Sequence, residues 1–277
     1  MKTYWLPRFY LLLFSSAFFV SSLGAQEPGW SGLNLELLEY YRTKQYAEGS
    51  PIAAEALKVA EATFGANHPN VAASLNNLAE MYRLLGQHAD AKPLYERALW
   101  IAEAALGPGS PLVASTLSNM GDMYREQENY GRAEPLYRRA IAIREKVFSP
   151  DYPNLVPSLN SLALLYAAQH KAKEAEGLFQ RAMTIQEKSY GPEDLALITT
   201  LHNLASFYQH QGLYWEAARL FQRELQILAK NLGKDHPDLA EPLESLAEVY
   251  KKMGRGEEAE KLEARASKLS PRRELQQ

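Results

Sequence analysis

The sequence predicts an all-α protein, a right-handed superhelical solenoid of antiparallel helix pairs in about six units of 42 residues. Three observations predict it. Proline keeps one interval: Pro69, Pro111 and Pro153 lie 42 residues apart, and Pro237 follows two periods later with Leu195 in the skipped position. Other residues keep step with it, in the series Leu75, Leu117, Leu159, Leu201, Leu243; Tyr82, Tyr124, Tyr166, Tyr208, Tyr250; and Ala91, Ala133, Ala175, Ala217, Ala259. Within one period, two stretches place apolar residues at helical rather than strand spacing.

The elements follow in order. Residues 1–25 carry Lys2 and Arg8, an apolar run from Phe9 to Val20, then the small residues Ser21, Ser22, Gly24 and Ala25. That order is a secretory signal peptide cleaved after Gly24 or Ala25. The run is shorter than the ~20 residues that span a bilayer. The alternative is an uncleaved N-terminal anchor. Either exports the remainder, so the expected location is periplasmic or secreted, with no membrane span once the signal is removed.

Residues 26–68 read as a degenerate first unit. It keeps Tyr40, Pro51 and Ala56 but places Leu37 at a small-residue position and Glu36 at an apolar one, as suits a cap. Residues 69–269 hold five regular units. In "NVAASLNNLAEMYRLLG", Val71, Leu75, Leu78, Ala79 and Tyr82 share one helix face and Gly86 ends the segment. In "HADAKPLYERALWIAEAALG", Ala91, Leu94, Tyr95, Ala98 and Ile101 do the same before Gly107. Pro51, Pro93 and Pro135 fall early in second helices, and Pro157 and Pro242 early in first helices, where amides lack intrahelical partners. Ala79, Gly121, Ala163, Ala205 and Ala247 mark the crossing of the two helices, because a methyl or less lets backbones approach closely. Glu224, where other units have alanine, predicts disturbed packing in the fifth unit, and the polar tail 270–277 predicts a frayed end.

Composition narrows function. The 33 acidic and 30 basic residues nearly balance without a basic run, which removes the electrostatic footprint of a nucleic-acid binder. The absence of cysteine excludes disulfides, thiol catalysis and zinc–thiolate sites. His202 and His210 lack a third ligand at metal spacing, and His68 and His236 precede loop prolines, which points to capping. There is no phosphate-binding glycine loop, serine elbow or zinc-protease motif, and the repeats leave no room for a catalytic domain. The expectation is a non-enzyme with no cofactor and no metal.

Leu78, Ala79, Tyr82, Gly86, Ala91, Tyr95 and Ala98 resemble the tetratricopeptide repeat over roughly residues 29–269. The period exceeds the usual ~34 residues by about two helical turns. It is similar to the longer kinesin-light-chain type, which shares phrases such as "LNNLA" and "AEPLY". The resemblance implies a protein-interaction scaffold whose first helices line a concave groove. It also implies that amides at the groove position bind the backbone of an extended peptide. Those residues are Asn77, Asn119 and Asn203, with Asn76 and Asn160 one step earlier in the repeat. An amide both donates and accepts, which suits any peptide sequence. Arg83 and Arg125, further along the same helices, are candidates for a ligand carboxylate. The competing reading is a solvated polar stripe copied by descent. A second functional reading is a structural subunit of an envelope complex, docking through its convex face or end units.

Overall fold

The computed structural model describes residues 28–269; the expected signal peptide, residues 1–25, and the polar tail lie outside them. The described residues form twelve α-helices: α1 Pro28–Arg42, α2 Tyr46–Phe64, α3 Pro69–Leu84, α4 His88–Leu106, α5 Pro111–Glu126, α6 Tyr130–Val147, α7 Val156–Ala168, α8 Ala172–Tyr190, α9 Ile198–His210, α10 Tyr214–Leu232, α11 Ala240–Lys252 and α12 Gly256–Leu269. Short 3₁₀ turns at Pro153–Leu155, Leu195–Leu197 and Pro237–Leu239 lead into α7, α9 and α11. The chain divides into two compact bodies at Leu165/Tyr166.

In the first body, α1/α2, α3/α4 and α5/α6 are packed pairs. The aromatic ring of the second helix lies against the small residue of the first. Tyr95 and Tyr137 are fully buried, and a Cβ added to Gly121 would stand 2.7 Å from the Tyr137 ring. The degenerate first unit meets the same constraint by exchanging sizes. Leu37 is large where Ala79 is small, and Ala53 is small where Tyr95 is large; both are fully buried. Gly49 adds room, since a Cβ there would meet Tyr40 at 2.9 Å and Leu37 at 3.5 Å. Volume is conserved across the pair although the pattern is lost.

The second body holds α8–α12, with α9/α10 and α11/α12 as packed pairs. Phe179 and Phe221 are its fully buried rings, and Phe179 lies 5.9 Å from Phe207.

Helix ends obey local chemistry. His68 and His236 are N-caps, accepting through Nδ1 from the amides of Asn70 at 3.1 Å and Asp238 at 3.2 Å; Ser110 and Asp194 do the same with oxygen. The turn inside each pair reverses through a residue with positive φ: Lys44, Gly86, Glu128, His170, Gly212 and Gly254, all between 57° and 76°. The amide that follows reaches back to the tyrosine carbonyl of the first helix, as Gln87 to Tyr82 and Asn129 to Tyr124, each at 2.8 Å.

Successive units are also clamped along their second helices. Arg97 pairs with Glu61 at 2.7 Å and Arg139 with Glu103 in the first body; Arg223 pairs with Glu187 at 2.7 Å in the second. Arg97, Arg223 and Arg265 also donate to carbonyls of the preceding loop, at Ala66, Pro192 and Lys234.

At the reversing turn, three units place a non-glycine residue where left-handed backbone is required. Glu128→Gly is therefore expected to raise the unfolding free energy by about 0.5–1 kcal/mol, and Gly86→Ala to lower it by about 1 kcal/mol, read by urea unfolding.

Candidate functional site

The candidate amides sit on the first helices α3, α5, α7 and α9, and in the first body Asn77 and Asn119 lie at the seam between neighbouring units. Asn77 donates through Nδ2 to Asn34 Oδ1 at 3.0 Å, and Asn119 donates to Asn76 Oδ1 at 3.4 Å. The two polar positions thus bond across the repeat boundary. Asn76, Asn119, Asn160 and Asn203 are buried, whereas Asn77 is half-buried. Leu35, which occupies the Asn77 position in the first unit, is 60% exposed. With four of the five amides buried, a fully solvated stripe is not what the repeat built.

The arginines are placed differently from one another. Arg83 is buried and grips Glu80 with two bonds, Nε at 2.9 Å and Nη2 at 2.6 Å, while Nη1 donates to Glu126 of the next unit. Arg125 stands 3.6 Å from Asp122 and its Nε is buried without a partner. Tyr95 donates to Glu80 and Tyr137 to Asp122, each at 2.7 Å, and Ser161 adds a bond to Asp122 at 3.1 Å. Units two and three therefore share one buried constellation of carboxylate, guanidinium and phenol. The repeat supplies its own control. Where the carboxylate position holds Leu164 or Ser206, the ring position holds Phe179 or Phe221, without a hydroxyl. A phenol is present where a carboxylate waits for it, because a buried hydroxyl without a partner is costly.

These surroundings set the charges. Burial acts to raise the Glu80 carboxyl, but Arg83 and the tyrosine hydroxyls outweigh it and hold the group below its ordinary value. Burial lifts both Tyr95 and Tyr137 well above the usual phenol range. Glu126 goes the other way. Burial pushes it up to about 7 against the pull of Arg83, and Asp122 and Glu80 add to the rise. Three carboxylates meet two guanidiniums here, and Glu126 is the one in excess. The i,i+3 spacing of Glu80 with Arg83 and Asp122 with Arg125 was the available sequence signal. Nothing local marked Glu126, which reaches Arg83 across 43 positions.

Because Glu126 binds its proton more tightly folded than unfolded, its contribution to stability is present at acid pH and lost as pH rises from about 4.5 through about 7. Glu126→Gln keeps an acceptor for Arg83 and does not titrate. The variant is expected to match the parent near pH 4.5 and to exceed it above neutrality by on the order of 1 kcal/mol, allowing for its exposed edge. Urea unfolding as a function of pH checks this; a variant less stable than the parent above neutrality contradicts it.

Among the described residues, no cluster of three His, Asp or Glu side chains stands ready for a metal, and no helix is long and apolar enough to cross a membrane. The tetratricopeptide repeat family model matches residues 40–104, 71–146, 112–188, 154–228 and 196–272. No curated protein matches the sequence. Among solved structures, the chain is similar to BtubC (BKLC) from P. vanneervenii, with TM-score 0.67 and 23% identity over 82% of this chain and 90% of that one. It is similar to a putative kinesin light chain of Podosopora anserina with nearly identical TPR-like repeats, with TM-score 0.63 and 27% identity over 73% and 96%. It also shares the fold of PilW, a type IV pilus biogenesis factor, with TM-score 0.62 and 18% identity over 90% and 97%. The period, the paired helices and the family match agree: this chain belongs to the tetratricopeptide repeat family, as a solenoid of helix pairs with kinesin-light-chain-like repeats.

Proposed function

We propose that the protein is an exported, non-catalytic scaffold that binds an extended protein segment along the first helices of its repeats. Family membership supports a protein-interaction role, and the amide row supports the mode. Among the described residues, Asn77 Oδ1 accepts no hydrogen bond and the residue is half-buried, so it has a valence to offer at an accessible edge. Asn77 and Asn119 in the first body, and Asn203 in the second, then each hold backbone of a bound segment, while Asn76 accepts from Asn119 across one unit boundary. Arg83 reaches a ligand carboxylate only by giving up Glu126, whereas Arg125 has an unspent Nε and needs no exchange. Export rests on the charge, apolar run and small residues of residues 1–25.

A second reading has its own support. Trp100 on α4 is 60% exposed and Trp215 on α10 is 68% exposed, both on second helices. Large exposed rings of this kind anchor protein interfaces, which fits a structural subunit docking through its second helices.

The test is affinity capture from envelope extract with three proteins of matched helicity: the parent, Asn77→Ala/Asn119→Ala/Asn203→Ala, and Trp100→Ala/Trp215→Ala. Loss of the partner, by at least about tenfold in retained amount, is expected for the asparagine variant alone. Loss in the tryptophan variant alone moves the interface to the second helices and overturns the groove reading.

A further inference from the structure

The fifth unit departs from the repeat at two positions that meet in space. His202 stands where other units have Asn76, Ser118 and Asn160, and Glu224 where they have Ala98, Ala140, Ala182 and Ala266. His202 Nδ1 lies 3.2 Å from both carboxylate oxygens of Glu224, joining α9 to α10. The imidazole is 15% exposed and the carboxylate 2%, and the Phe221 ring packs edge-on against the imidazole at 5.5 Å. The sequence predicts disturbed packing from Glu224. The structure instead shows one unit whose alanine contact is replaced by a complete ionisable pair. Either change alone leaves a buried polar group unmatched, which is why the two occur together.

We propose that His202 and Glu224 form a proton-operated tether that holds the α9/α10 pair more tightly at acid than at alkaline pH. The charged groups acting on His202 are Glu224 on α10 and Glu241 on α11. Burial works to lower the His202 ring, but Glu224 and Glu241 raise it above the ordinary imidazole value. Burial raises Glu224, against the opposing pull of His202. Both groups move upward, so the sign does not depend on how they share the proton. The folded chain holds more protons than the unfolded one. The imidazole's share of stability is complete below the ordinary value of about 6.5 and lost as pH rises through the folded value; the carboxyl's share begins to fall from about 4.5 upward.

The experiment compares the full chain with His202→Asn/Glu224→Ala, which restores the side chains of the other units. Amide hydrogen exchange is followed in α9 and α10 from about pH 5.5 to about pH 8.5, corrected for intrinsic exchange. Protection in the parent is expected to fall relative to the variant by up to about tenfold per pH unit, the slope of one linked proton. A ratio independent of pH, or rising with it, overturns the proposal. An NMR titration of the His202 ring in the parent gives an independent reading. A midpoint above that of a free histidine supports the tether, and one at or below it overturns it.

Discussion

The regular pairs of this fold depend on one contact: a residue no larger than alanine on the first helix, pressed by a ring from the second. At Gly121 the fit is so close that a single methyl meets the Tyr137 ring. That approach fixes the separation of the two helices, and with it the position of every other residue on their faces. The reversing turns serve the same end, closing each pair through the tyrosine carbonyl one turn from the contact. Even the first unit, which has lost the pattern, keeps the volume by placing Leu37 against Ala53 and Gly49.

Because that contact repeats with the period, the fold was legible from the sequence almost throughout. Prolines, glycines and small residues are local signals whose spacing survives translation into structure. Positions at the seam between units were harder to read. The helix that carries Asn77 gives no sign that Asn34 will lie 3.0 Å away, so a residue expected to face a ligand also serves the adjacent unit. Arg83 reads as a free arginine for a ligand carboxylate until Glu126, 43 residues on, is brought to it. Glu224 reads as a defect for the same reason, since its match His202 is on another helix. What one helix face needs is written locally; what one unit needs from its neighbour is not.

The polar interior divides into two kinds. The Glu80 and Asp122 constellations are nearly saturated, with each carboxylate meeting both a guanidinium and a phenol, and they stiffen the units that carry them. Glu126 and Glu224 are displaced upward by burial, and His202 by its carboxylate neighbours, so these groups bind a proton more tightly in the folded chain, the opposite direction to Glu80. The two kinds sit side by side at Glu126, which shares helix α5 with Asp122 and bonds Arg83, and lie apart at His202 and Glu224. Both arise from the same operation, the substitution of one or two residues against a constant backbone.

The arginine–glutamate clamp along the second helices has a consequence for how such a chain changes length. Arg97 and Arg139 occupy one repeat position, and their partners Glu61 and Glu103 occupy another. The first four units thus carry the same socket residue, Glu61, Glu103, Glu145 and Glu187, whereas the fifth has Ala229. Excision of one period, residues 69–110, would leave Arg139 facing Glu61 with the clamp intact. Genetic duplication or loss of whole periods is then conformationally silent at the joint, whereas a shift of one residue would misalign every clamp downstream. Selection can tune the reach of the scaffold in steps of one unit, and the constancy of the period across the array is the trace such a process leaves.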